Sequence, residues 1–313
     1  MNFSFRKKEH LIIGLCAFAV IVASLALSLS RKKQEVVIIQ NPGQTSTTTD
    51  PFASLNLEAK AAYVIDLSDN KVLFSKDADE VLPLASLTKL VSVIVATETL
   101  PPQTTIPITP LALASDGDTG LLSGENWELD TLTKFSLITS SNDGITAIAA
   151  VAGARLASST DPNPFNAFVE AMNQTTVSLG FPDMHFFNPT GLDQSTTTSG
   201  GYGSAKDVVG VLSYLLKNYP NLVTETGETA EKFKSDIATH VAKNTDEALS
   251  YVPGVIVSKT GYTDLAGGNL AIIDDVGLMH PVALVVLGSS YDGRFTDMNL
   301  LATVATLVLG GKK

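Results

Sequence analysis

Apolar residues fall into three kinds of block along this chain. The first is Leu11 to Ser30, LIIGLCAFAVIVASLALSLS, a run of about twenty residues without a charge. At 1.5 Å per residue such a helix spans a hydrocarbon core of about 30 Å. Arg6, Lys7 and Lys8 precede it, and Arg31, Lys32 and Lys33 follow. The run is long for a signal-peptide core, and no A-x-A site follows it. The pattern predicts an uncleaved transmembrane signal-anchor over residues 11–30. Residues 1–10 then stay in the cytoplasm and the bulk of the chain is extracytoplasmic, held at the cytoplasmic membrane by a single pass.

Residues 31–56 read as a disordered linker. They hold Asn41-Pro42-Gly43 and the polar tract Gln44 to Asp50, a composition with too little apolar surface to offset the entropy of ordering.

From residue 57 to 313 the blocks change character. Ala61 to Leu67 and Lys71 to Phe74 read as strands joined by the turn residues Ser68-Asp69-Asn70. Helical stretches follow at Leu90–Leu100, Leu132–Ala152, Phe165–Leu179 and Val208–Tyr219. After Pro253, short apolar runs return at Val255–Lys259, Asn269–Ile273 and Val282–Leu287, and an apolar helix, Phe295 to Leu309, ends the pattern. Strands at both ends with helices between predict a mixed α/β (α+β) domain. Its antiparallel sheet is built from both termini, and a helical region is inserted.

Composition narrows the function classes. The chain has 313 residues, a formal net charge of −11 and 17% charged residues. An acidic chain with no basic cluster beyond its N-terminus is a poor nucleic-acid partner. The single cysteine, Cys16, lies in the apolar run and forms no internal disulfide. The four histidines, His10, His185, His240 and His280, lack metal-ligand spacing, so neither metal nor cofactor is expected. Asp116-Asp118 and Asp274-Asp275 read as solvated loops.

Three short motifs occur in order: Ser86-Leu87-Thr88-Lys89, Ser140-Ser141-Asn142 and Lys259-Thr260-Gly261. Ser-x-x-Lys also occurs at Ser4, Ser30 and Ser68, so the signal lies in the ordered set. A serine hydroxyl needs a base, and residues three apart share a helix face. Ser86 can therefore meet Lys89 at the start of the apolar helix, where free N–H groups favour an oxyanion. Lys89 serves as a base only with a lowered pKa, and burial or a nearby cation such as Lys259 lowers it. Ser140 is a candidate proton relay to a leaving amine, and Asn142 a candidate for binding a substrate amide. Lys259 and Thr260 suit a strand edge that docks a peptide and its carboxylate. Gly261 permits close backbone approach.

These motifs resemble those of the penicillin-binding protein and serine β-lactamase superfamily, a set that general surveys of catalytic motifs already describe. Further stretches are similar to the D-alanyl-D-alanine carboxypeptidase family: Phe187-Asn188-Pro189-Thr190-Gly191-Leu192, Tyr202 to Asp207, Lys259 to Thr263, and Arg294-Phe295-Thr296-Asp297. The resemblance implies a β-lactamase/transpeptidase-like fold acting on peptidoglycan stem peptides. Ser86 would attack the penultimate D-alanine, with Lys89 as base. The backbone N–H groups of Ser86 and Tyr262 would form the oxyanion hole, and β-lactams would acylate the same serine. D,D-endopeptidase action stays open, because the N-terminal anchor and the short segment after Lys259 depart from many members. A serine β-lactamase is a further alternative, although Glu170-Ala171-Met172-Asn173 only approximates its deacylation motif. So is an inactive penicillin-fold binding protein.

Overall fold

The computed structural model describes residues 50–277 and 279–310. The expected anchor and most of the linker lie outside them. The packed structure begins earlier than residue 57: Phe52 is buried and stacks on Phe74 at 5.4 Å. A single aromatic ring gives this segment an apolar anchor that its polar flanks conceal.

Five antiparallel strands form the main sheet. In chain order β1 is Ala61–Asp66 and β2 Lys71–Lys76. The hairpin β3 (Ala230–Lys234) and β4 (Thr239–Lys243) stands apart from them. Then come β5 (Val255–Thr263), β6 (Gly267–Asp275) and β7 (Pro281–Ser289). The sheet order is β5-β6-β7-β1-β2, so the two ends of the domain meet where β7 pairs β1. This is the expected sheet, and β5 forms its edge. Its central strands read as continuous apolar runs because both faces are covered. Leu270, Ile272, Val282, Leu284 and Val286 share one cluster with Phe295, Met298 and Leu301. Ala271, Ile273, Ala283, Val285 and Leu287 face the helical cluster instead. With a period of two, each strand feeds both clusters.

The helices are α1 (Lys89–Thr99), α2 (Leu129–Thr139), α3 (Asn142–Leu156), α4 (Pro164–Leu179), α5 (Ala205–Asn218) and α6 (Gly293–Gly310). All residues of α1 from Lys89 to Ala96 are buried, the environment of a helix that is apolar all round. One expectation changes. The stretch 132–152 is two helices, because Ser140 adopts a left-handed φ of 58°. Ser141 then caps α3 by accepting the Gly144 N–H at 3.0 Å. Ser-Ser-Asn-Asp is a run of capping residues, and here that preference overrides the continuous apolar period. The β3–β4 hairpin escapes periodicity for a different reason: only Phe233 and Ala242 in it are buried.

Candidate active site

Ser86 does not open α1. It sits in a 3-10 turn, Ala85–Thr88, immediately before it. In a 3-10 turn residues three apart eclipse each other, so Ser86 and Lys89 face more directly than on an α-helix. Lys89 Nζ lies 2.7 Å from Ser86 Oγ. Ala85 holds a positive φ of 48°, a conformation that costs a non-glycine residue energy and clusters at functional sites.

Lys89 is fully buried and has two further neighbours. Asn142 Oδ1 is 2.6 Å from its Nζ and the Thr190 carbonyl oxygen 2.8 Å. The first arrives because the Ser140 break starts α3 at Asn142. The second arrives on a loop folded by Asn188, whose Oδ1 accepts the N–H groups of Thr190 at 3.1 Å and Gly191 at 2.8 Å. Ser92, one turn along α1, donates to the Pro189 carbonyl at 2.6 Å and pins the same loop. Burial lowers the Lys89 pKa well below the usual lysine range, and the neighbouring Lys259 lowers it further.

Lys259 comes from mid-β5 and is 1% exposed. Its Nζ donates to Ser140 Oγ at 2.8 Å and to the Thr260 carbonyl at 2.8 Å. Its pKa falls to about 7, mainly through burial, with Arg294 adding to the shift and Asp246 opposing it. Gly261 lies against the turn that carries Ser86. A Cβ there would sit 2.9 Å from the Leu84 carbonyl oxygen and 3.2 Å from the Ser86 nitrogen.

All eight predicted residues, Ser86, Lys89, Ser140, Asn142, Lys259, Thr260, Gly261 and Tyr262, therefore meet in one place. The cleft between them holds about 340 Å³ and is walled also by Asn244, Thr245, Glu247, Tyr291 and Arg294. Asn142 differs from its expected task. Its carbonyl faces Lys89, and its amide donates to the Asp116 carbonyl at 2.6 Å, so it positions the base before it can meet any substrate.

Sequence reasoning assigned no task to Arg294, Thr190 or Asn188. Arg294 is buried and donates from Nη1 to the Gly261 carbonyl at 3.3 Å. Its guanidinium lies 4.2 Å from the Tyr291 ring centre. Thr190 acts through its carbonyl, which no side-chain motif reports. Glu170, the nearest approach to a β-lactamase glutamate, lies on α4 and lines a separate groove of about 950 Å³ with Phe165 and Phe187. His240 is bound to the buried Glu125 at 2.7 Å, and His185 packs on Phe187. Neither lines the cleft.

One acidic pair departs from the solvated-loop expectation: Asp274 is 1% exposed at the end of β6. A strand that continues beneath α6 carries it inside, although its sequence neighbour Asp275 reads as a turn.

A description of the D-alanyl-D-alanine carboxypeptidase family fits residues 44–290. A D-alanyl-D-alanine carboxypeptidase of Bacillus subtilis is 31% identical over 240 residues, 74% of this chain and 58% of that protein. This chain thus spans little more than half of that relative. A D-alanyl-D-alanine endopeptidase of Escherichia coli is 28% identical over 304 residues, 94% of this chain and 90% of that protein. Among solved structures, penicillin-binding protein D2 from Listeria monocytogenes in a cefotaxime-bound form superimposes with a TM-score of 0.65 at 25% identity. That superposition covers 80% of this chain and 98% of that one.

Proposed function

The chain belongs to the D-alanyl-D-alanine carboxypeptidase family, and from that premise we propose that it is a serine D,D-peptidase that removes the terminal D-alanine of peptidoglycan stem peptides. The observation that carries this reading is the 2.7 Å approach of Lys89 Nζ to Ser86 Oγ in a site that keeps the lysine neutral.

A neutral amine has two N–H groups and one lone pair. Asn142 Oδ1 and the Thr190 carbonyl can only accept, so they take the two N–H groups. The lone pair is left for the Ser86 hydroxyl. Attack on the penultimate carbonyl forms the Ser86 Oγ–carbon bond and passes the serine proton to Lys89. Collapse breaks the carbon–nitrogen bond, and that proton reaches the leaving amine, with Ser140 as the relay beside Lys259. Water then cleaves the ester and restores the serine. Lys259, Thr260 and the Arg294 charge favour a terminal carboxylate, and the N–H groups of Ser86 and Tyr262 serve the oxyanion. The cefotaxime complex of the Listeria relative supports acylation of this site by β-lactams.

The test is to incubate the full-length protein with a pentapeptide ending in D-Ala-D-Ala. Release of D-alanine by the wild type and its loss in Ser86→Ala, with penicillin labelling lost in parallel, support the reading. Equal labelling of both proteins would refute it.

A second reading, D,D-endopeptidase, is favoured by one observation: alignment runs over 90% of the Escherichia coli endopeptidase but 58% of the Bacillus carboxypeptidase. Cleavage of a cross-linked peptide dimer separates the two. For localisation, the charge-free run 11–30 supports a single-pass anchor with the enzyme outside the cytoplasmic membrane. N-terminal sequencing of membrane-extracted protein tests it, since a mature start beyond Ser30 removes the anchor.

A further inference from the structure

Two tyrosines stand at the cleft mouth beside the groups that favour a carboxylate. Tyr262 follows Gly261 on β5, and Tyr291 lies in the loop before α6; both line the cleft. Their rings meet at right angles, 5.1 Å between centres and 80° between planes. Each is about half exposed, at 47% and 48%. The corner is held from behind. The Arg294 guanidinium lies 4.2 Å from the Tyr291 ring centre and 5.8 Å from that of Tyr262. The same guanidinium is tied to the Gly261 carbonyl at 3.3 Å.

Most half-exposed tyrosines are unremarked surface residues. These two differ in being fixed to a buried cation that serves the carboxylate. Whatever extends from a carboxylate-bearing leaving residue passes over their faces. A D-alanine leaving group carries one methyl and leaves the corner wet. A leaving residue with a longer aliphatic chain covers both rings, and removing that apolar surface from water favours its binding.

We propose that the Tyr262–Tyr291 corner is a subsite for the aliphatic chain of a leaving residue larger than alanine, as in a diamino acid whose amine forms the cross-bridge. This rests on the proposed D,D-peptidase reading and adds a preference to it: the enzyme discriminates in favour of a cross-linked leaving group. The chemistry is unchanged. The same carbon–nitrogen bond breaks, and the proton that leaves Ser86 ends on the cross-bridge nitrogen.

The experiment compares kcat/KM of the full-length protein for a cross-linked peptide dimer and for a linear peptide ending in D-Ala-D-Ala. Tyr262→Ala keeps the backbone N–H and removes one face of the corner. The dimer-to-linear ratio should fall about five- to tenfold, the scale of one lost side-chain contact. Tyr262→Phe, which keeps the face, should hold the wild-type ratio, and so should Tyr291→Phe. An unchanged ratio in Tyr262→Ala overturns the subsite. So does an equal fall in Tyr262→Phe, which would assign the effect to the hydroxyl. The parent reading fails separately, in the wild type: no penicillin adduct on Ser86 and no product from either peptide.

Discussion

Asp193 holds Thr263: its Oδ1 accepts the threonine hydroxyl at 3.0 Å, across seventy residues of chain. Its Oδ2 accepts the Leu265 N–H at 3.1 Å. The loop that gives Lys89 its Thr190 carbonyl is thereby tied to the turn between β5 and β6. Because Gly261 in β5 rests on the Ser86 turn, the contacts close a ring around the nucleophile.

Breaking that ring should misplace the oxyanion donors without touching the base. Asp193→Ala is expected to slow acylation by penicillin about tenfold or more, since small displacements of catalytic groups are costly. The pH at which acylation is half-maximal should stay fixed, because Lys89 and Lys259 keep their surroundings. Asp193→Asn keeps an acceptor for Thr263 and should recover part of the rate. A shifted pH profile, or equal loss in both variants, would mean that Asp193 acts on the charges instead.

Gly191 gives a sterically sharper case. Its φ is 82°, and a Cβ there would lie 1.9 Å from the Ala85 carbonyl oxygen. Both the backbone sign and the space exclude a side chain. Gly191→Ala should cost about 2 kcal/mol or more of stability and lower the acylation rate of the fraction that remains folded. Thermal melting and stopped-flow acylation on the same sample check both. A fully stable, fully active variant would show that the loop can move away from Ala85.

Much of this site was legible because its side chains are chemically marked and lie in fitting order. Ser86, Lys89, Ser140 and Lys259 needed only the motif order and the strand–helix pattern. What escaped notice was of two kinds. Some partners act through backbone, as Thr190 does on Lys89, and a carbonyl leaves no trace in residue type. Others depend on burial that local pattern does not reveal. Arg294 sits at the start of an apolar helix, and Asp274 beside an ordinary turn acid, yet α6 and β6 carry both inside. The helix break at Ser140 was readable from its capping residues, but an unbroken apolar period masked it.

Asp274 makes a stability prediction. Burial raises its carboxyl pKa to about 6, with the Asp275 charge adding to the shift, and its buried Oδ1 has no hydrogen-bond partner among the described residues. A raised carboxyl pKa means that the folded state holds the proton more tightly than the unfolded state. The associated stability is present below about pH 4 and is lost as pH rises through about 6. Asp274→Asn removes that loss and should stabilise the protein by about 1–3 kcal/mol at pH 7.5, with little gain at pH 4. Denaturant titration at the two pH values measures the difference. A variant no more stable at pH 7.5 than at pH 4, relative to wild type, would show that the carboxylate is solvated or paired.

The last prediction concerns how two buried lysines divide the work of charge. Lys89 must be neutral to take the Ser86 proton, yet a lysine in water has a pKa near 10.4. Burial supplies most of the depression, and Lys259 contributes the rest. Lys259 is itself depressed to about 7, so near neutral pH it carries its charge only part of the time. The low-pH limb of acylation therefore reports a coupled pair and not a single residue. As pH falls, Lys259 gains its proton, and its charge then resists protonation of Lys89. Lys259→Ala deletes that resistance. Lys89 should titrate higher, and the acidic limb should move to higher pH. Lys89→Arg keeps a cation in the cleft but leaves no usable base, and it should acylate at least about a hundredfold more slowly, the scale of losing a positioned base. The two variants separate the roles, since one moves the limb and the other lowers the plateau. A Lys259→Ala profile with its acidic limb unmoved, or near-normal acylation by Lys89→Arg, would send the Ser86 proton by another route, with Ser140 the nearest hydroxyl beside Lys259.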